Sequence, residues 1–180
     1  MKDFGKLNRI IYERVSKQKG TVMTNEEIMD IVDCYADMIK RICFTYMKND
    51  YEADDIFQTV FLKMIQSDIV FENENHRKAW LIRVTINCCK DTLKSFFRKN
   101  IVPIEAYKED YYETSDYSWV KDALMEIPAK YRIVLYLYYY EQYQVKEIAE
   151  ILGCGQNTVS TQLKRGKEQM KIKIGEKWNE

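Results

Sequence analysis

The chain has little of what makes turns: only 6 glycines and 2 prolines in 180 residues. So few breakers point to a mostly helical protein. Histidine is nearly absent, with His76 alone, and no pair among the five cysteines (34, 43, 88, 89 and 154) has CxxC spacing. That inventory excludes a zinc site of ordinary type, and the odd cysteine count disfavours a disulfide framework. Reduced thiols in the cytoplasm are the expectation. The longest uncharged apolar run, Ile133 to Tyr140, is far too short to span a bilayer, so no membrane insertion is expected. The first fifteen residues scatter charges among apolar positions and do not read as a secretory leader. Net charge is also missing: 28 Lys+Arg balance 28 Asp+Glu. Hydrophobic residues at 46% and charged residues at 31% exclude wholesale disorder.

What is present is strong local charge asymmetry. Residues 50–74 carry a net −6, residues 76–99 a net +6, residues 101–122 a net −4 and residues 156–177 a net +4. Any one block reads as a solvated helix face. Two basic blocks with an acidic stretch between them suggest two contacts with a polyanion and one with a basic partner.

The expected fold class is all-α, with two small helical modules joined by a flexible acidic linker. Residues 1–23, with six bases and two acids, form an N-terminal extension. The first module spans 24–98. Thr24-Asn25-Glu26-Glu27 has capping-box spacing, and Ile28, Ile31, Val32, Tyr35, Met38, Ile39 and Ile42 follow at helical steps. Asp50 is placed to cap a second helix carrying Ala53, Ile56, Phe57, Val60, Phe61 and Met64, and Asn75 a third that runs to about Phe97. Residues 99–118 are acidic, tyrosine-rich and without a sustained period, as a linker is. The second module spans 119–180. Its first helix should end at Pro128. Tyr131 to Tyr140 favours a strand by composition but is read as helix, since no partner strand is visible.

Three segments carry candidate chemistry. Val145 to Leu152, a Gly153-Cys154-Gly155 break, and a helix from Gln156 to about Met170 make a helix-turn-helix pattern. At ~100° per residue, Val159, Leu163, Gly166 and Met170 turn inward, and Asn157, Thr161, Lys164 and Arg165 turn outward. Asn can pair with adenine, Arg and Lys with guanine or phosphate, and a Thr methyl with thymine. A plain helical hairpin with a solvated face is the alternative. In the third helix Arg83, Asn87, Lys90, Asp91, Lys94 and Arg98 fall in an arc of about 100° beside Trp80. An aromatic ring on a basic stripe can stack on an unpaired base while the cations hold phosphates. Equally, Trp80 can pack beneath the preceding loop. In the second helix Asp54, Asp55 and Gln58 stand next to Phe57 and Phe61, an acidic-aromatic face suited to a basic partner. The helix dipole alone accounts for the two acids.

Glu52-Ala-Asp54-Asp55-Ile-Phe-Gln58-Thr-Val-Phe61 and Arg77-Lys-Ala-Trp80-Leu-Ile-Arg83-Val-Thr-Ile-Asn87 together resemble region 2 of RNA polymerase sigma factors of the extracytoplasmic-function (ECF) group. Ala123-Leu124-Met-Glu-Ile127-Pro128 and the following helix-turn-helix are similar to region 4 of the same group. The resemblance covers roughly residues 25–175. It implies that Asp54, Asp55, Phe57, Gln58 and Phe61 dock on core polymerase. It implies that Arg77, Lys78, Trp80, Arg83, Asn87, Lys90, Asp91 and Lys94 read and melt the −10 promoter element. It assigns the −35 element to Gln156, Asn157, Thr158, Ser160, Thr161, Lys164 and Arg165. Core polymerase and promoter DNA are the implied partners, with room for an anti-sigma protein. Gln156-Asn157-Thr158 and Gln162 stand where many relatives are more basic or small, which bears on the upstream preference. The extension 1–23 also lies beyond the usual start.

A DNA-binding regulator without sigma activity would explain the helix-turn-helix but neither the acidic face nor the Trp80 stripe. An enzyme finds no support: there is one histidine, no phosphate loop and no nucleophile beside a base. No catalytic residue, metal or cofactor is expected.

Overall fold

The computed structural model describes residues 24–47, 50–67, 69–98 and 118–178. The N-terminal extension, and the expected linker up to residue 117, lie outside these. The chain divides into two compact units, residues 1–105 and 106–180. Among the described residues all regular structure is helical.

The first unit contains α1 (Asn25–Tyr46), α2 (Asp50–Gln66) and α3 (Glu74–Arg98). α1 opens with the expected capping box. The Thr24 Oγ1 accepts from the Glu27 N–H at 3.2 Å, and Glu27 Oε2 accepts from the Thr24 N–H at 2.7 Å. The Thr24 backbone N–H also holds the Glu27 carboxyl below its usual range. α3 begins two residues earlier than expected. Its cap is Asn73, whose Oδ1 accepts from the His76 N–H at 2.9 Å, and Asn75 lies inside the first turn.

All three helices pack on one another. Ile39, Ile42, Met47, Phe57, Phe61, Met64, Leu81, Ile82 and Ile86 are fully buried among them. Burial of an apolar side chain of this size contributes about 1.5–3 kcal/mol. Two buried hydroxyls are satisfied within their own helices, Thr45 on the Ile42 carbonyl and Thr85 on the Leu81 carbonyl. The described cysteines are free thiols, with Cys43, Cys88 and Cys89 in this core.

The second unit contains α4 (Ser118–Glu126), α5 (Ala129–Leu135), a wider π-helical turn over Tyr136–Tyr140, α6 (Val145–Leu152) and α7 (Gln156–Trp178). Pro128 separates α4 from α5 as expected. The Tyr131–Tyr140 segment is helical throughout. Its last part widens because the Glu141 N–H reaches back five residues to the Tyr136 carbonyl, at 3.1 Å. The Tyr136 and Tyr140 rings stack at 5.2 Å. α6 ends at Gly153, whose φ of +65° is a left-handed cap of the kind glycine adopts without steric cost. α7 extends past Met170 to Trp178. Gly166 lets α7 approach closely: an added Cβ would stand 3.2 Å from Leu135 Cδ1 and 3.3 Å from Tyr131 Cβ. Arg132 is buried, and its Nη1 donates to the Met125 carbonyl at 2.6 Å. That carbonyl is one of the last-turn acceptors a helix end leaves unpaired.

Candidate nucleic-acid interface

α2 turns its aromatic residues inward. Phe57 and Phe61 are 0% exposed and pack edge to face, with ring centroids 4.9 Å apart. This corrects the expectation that both belong to a docking surface. The rings point at α1 and α3, as the middle of a three-helix core requires. Asp55 is exposed, whereas Asp54 and Gln58 are half-buried on a different flank of the helix. Adjacent residues such as Asp54 and Asp55 diverge by about 100°, so the acids do not form one plane.

The side chains that Asp55 does join were missed in the sequence. Tyr51 (79% exposed), Asp55, Thr59 and Lys63 form a ridge at four-residue steps. With Glu52 they border a groove of about 500 Å³ whose other wall is Cys88, Asp91 and Thr92 of α3. The i, i+4 spacing was the available signal. Asp91 therefore belongs to this groove as much as to the basic stripe, and it pairs with Lys94 at 3.3 Å.

Along α3, Arg83, Asn87, Asp91 and Lys94 are exposed, and Lys78, Trp80 and Lys90 are half-buried. Leu81, Thr85, Ile86, Cys88 and Cys89 take the opposite, core-facing side. Trp80 meets the edge of Phe71, from the loop before α3, at 5.6 Å. The loop-packing alternative is thus realised for part of the ring, and the rest stays accessible. Arg77 is not an outward-reaching cation. It pairs with Glu74 at 2.8 Å and lies over the Phe71 ring, 5.5 Å from its centroid. Beside it the loop exposes Ile69 (41%) and Val70 (86%). An exposed apolar pair of this kind next to a basic stripe had no periodic signature in the sequence.

In the second unit, Val159, Leu163 and Gly166 of α7 face α5 and α6, and Gln156, Asn157, Thr158, Ser160, Thr161, Lys164 and Arg165 are all exposed. Thr161 Oγ1 donates back to the Asn157 carbonyl at 2.7 Å, so its hydroxyl is engaged within the helix. A hydrogen bond from Arg165 holds the Tyr131 phenol below its usual range, so this guanidinium has an internal partner at rest. The outer face of α7 offers amide, hydroxyl and cationic groups of the types that bond base edges in a major groove. Among the described residues no group of His, Cys, Asp and Glu could hold a metal ion. No described helix is long and apolar enough to cross a membrane.

Two family models match the chain: Sigma-70 region 2 over residues 31–98 and Sigma-70, region 4 over residues 117–170. The RNA polymerase sigma factor SigV of Bacillus subtilis (strain 168) is 31% identical over 140 residues, covering 74% of this chain and 82% of that protein. The ECF RNA polymerase sigma factor SigW of the same organism is 28% identical over 163 residues, covering 81% and 87%. Among solved structures, the sigma factor RpoE in complex with the anti-sigma factor NepR from Bartonella quintana has a similar fold. Its TM-score is 0.68 at 19% identity, over 82% of this chain and 96% of that one. CnrH in complex with the cytosolic domain of CnrY gives a TM-score of 0.61 at 15% identity, over 94% and 97%.

Proposed function

The chain belongs to the ECF group of the sigma-70 family of RNA polymerase sigma factors, and from that premise we propose which of its surfaces meets which part of the initiation machinery. It is an alternative sigma factor: it binds core RNA polymerase, directs it to specific promoters and helps to open the DNA. Sigma factors are regulatory subunits, so bond-making stays with the polymerase and this chain supplies recognition.

Residues 24–98 act as region 2. Asp55 on its exposed ridge, with Asp54 and Gln58 on the flank, meets a basic surface of core polymerase. Opposite charge there speeds encounter and sets register more than it adds affinity. The exposed part of the α3 stripe, Arg83, Asn87 and Lys94, with the half-buried Lys78 and Lys90 beside it, follows the phosphates of the −10 element. Trp80 stands at the edge of that stripe, where an unpaired base can stack on it. Residues 119–180 act as region 4. The first turns of α7 enter the major groove at the −35 element, where Asn157 and Arg165 are suited to bidentate base contacts. Residues 99–118 join the two. An anti-sigma protein is a further partner, supported by the likeness of this fold to a sigma factor solved in complex with an anti-sigma factor. The chain works in the cytoplasm, where the polymerase is.

The observation that carries this division of labour is the match of two separate segments in order, 31–98 and 117–170. A helix-turn-helix regulator without sigma activity leaves the first of them unexplained. The test is the affinity of the full chain for core polymerase with Asp54→Lys and Asp55→Lys combined. Binding should weaken by about tenfold or more, and helical content should be unchanged. Unchanged affinity would move the docking surface elsewhere on the chain.

A further inference from the structure

A continuous set of contacts leads from the interior of α1 to Trp80. Tyr35 is a buried residue of α1, and its hydroxyl donates to Glu74 Oε1 in the first turn of α3. The second oxygen of the same carboxylate accepts from Arg77 Nη1 at 2.8 Å. The Arg77 guanidinium covers the Phe71 ring at 5.5 Å, and its Nε is buried without a hydrogen-bond partner. An unpaired buried donor is costly, so the pair with Glu74 and the Phe71 ring are what keep this guanidinium in place. Phe71 in turn stands edge-on to both His76, at 5.8 Å, and Trp80, at 5.6 Å. The loop is tied to α3 a second time, by the Glu72 N–H on His76 Nδ1 at 3.4 Å. Burial first, then the hydrogen bond to Glu74, push the Tyr35 phenol up from its ordinary value. It therefore remains a donor throughout the physiological range.

We propose that Tyr35 is a positioning residue for DNA opening: through Glu74 and Arg77 it fixes Phe71 and the loop 69–73, and so holds Trp80 in the orientation that receives an unpaired base. This rests on the assignment of Trp80 to the melted promoter. Without the hydroxyl, Glu74 loses one of its two partners and can swing with Arg77. Phe71 is then free to follow, and Trp80 loses the ring that braces it. The apolar tip at Ile69 and Val70 is carried by the same loop. Preorganisation of this kind matters most while a base is leaving the stack, and much less once the strands are already apart.

The test uses the full chain assembled with core polymerase on a promoter it recognises. Open-complex formation is followed by permanganate reactivity of unpaired thymines. Two templates are compared, a duplex promoter and the same promoter with a preformed mismatch bubble across the −10 region. Tyr35→Phe keeps the buried ring and removes only the hydroxyl. Glu74→Gln keeps an acceptor for Tyr35 and weakens the hold on Arg77. Each should slow opening of the duplex about tenfold, the size expected for one hydrogen bond to a charged group. Each should leave the bubble template within about twofold, and core affinity unchanged. Tyr35→Phe added to Trp80→Ala should cost nothing further, because both act through one ring. An equal loss on duplex and bubble would show a merely structural role and overturn the proposal. So would a full-size additional loss in the double variant, or unimpaired opening by both Tyr35→Phe and Glu74→Gln. If Trp80→Ala itself leaves opening unimpaired, the assignment of Trp80 fails and the role of Tyr35 falls with it. If Trp80→Ala impairs opening while Tyr35→Phe and Glu74→Gln do not, only the role of Tyr35 is refuted.

Discussion

Replacing Phe57 by alanine separates a core role from a docking role. The ring is 0% exposed and packs edge to face on Phe61 at 4.9 Å, with the Lys40 ammonium 5.6 Å from its centroid. Truncating a buried phenylalanine costs about 3–5 kcal/mol, part of it the edge-to-face pair at about 0.5–1.5 kcal/mol. Small domains are stable by about 5–15 kcal/mol. Even at the low end, a loss of about 4 kcal/mol leaves about 1 kcal/mol, which corresponds to roughly one molecule in six unfolded. Apparent affinity for core polymerase scales with the folded fraction, so it should fall by less than about twofold. Asp55→Lys should do the reverse: it leaves stability within about 0.5 kcal/mol, as an exposed substitution does, and weakens polymerase binding. Hydrogen exchange of the full chain, read peptide by peptide, reports α1 to α3 separately from the second unit. Phe57→Ala should speed exchange across all three helices. If exchange is unchanged and polymerase affinity collapses, Phe57 works at the interface and the core assignment is wrong.

Arg132→Met keeps the aliphatic packing but removes the donor to the Met125 carbonyl at 2.6 Å. The second unit should lose about 1.5–3 kcal/mol, the contribution of a hydrogen bond from a charged group, seen as faster exchange in α4 and α5. A neutral result would mean the buried charge costs as much as its bond returns. Asn157→Ala should cost about 1–3 kcal/mol at one base position of the upstream element, measured by competition among single-base variants bound by the holoenzyme. A uniform loss across all variants would make Asn157 a phosphate contact. The Glu27 carboxyl is held below its usual value by Thr24. Its support of the α1 N-terminus is therefore complete above its unfolded pKa and is lost as pH falls through the lower folded one. Protection in the first turn of α1 should fall below about pH 4, and Glu27→Gln, which cannot titrate, should abolish that dependence.

Local chemistry was legible where a short motif decides the structure by itself. Thr24 and Glu27 marked the start of α1, Pro128 the break before α5, and Gly153 the turn before α7. The inward set of Val159, Leu163 and Gly166 followed from helical period alone, because one apolar stripe on an otherwise polar helix has only one way to face. α2 was harder. It is apolar over more than half its circumference, as the middle element of a three-helix core must be. Adjacency in sequence then suggested a shared acidic-aromatic face that the ~100° step per residue divides. The cap of α3 was misplaced because Asn73 and Asn75 are equally good candidates. Only the Asn73 side chain reaches the His76 N–H. Arg77 counted as one more cation on a basic stripe. Its pairing with Glu74 and its seat over Phe71 depend on a loop conformation that has no period to read.

The central claim is that this chain turns core polymerase into a promoter-specific enzyme. The most direct test is transcription in vitro with sigma-free core polymerase, fragmented host DNA and the purified full chain, with every RNA start mapped. RNA starts should appear that depend on the chain and share a pair of upstream elements. Asn157→Ala should alter the preference at the upstream element, and Trp80→Ala should lose starts on duplex but keep them on premelted templates. Specific binding of the chain alone to duplex DNA, with no new starts, would contradict it and make the protein a regulator without sigma activity.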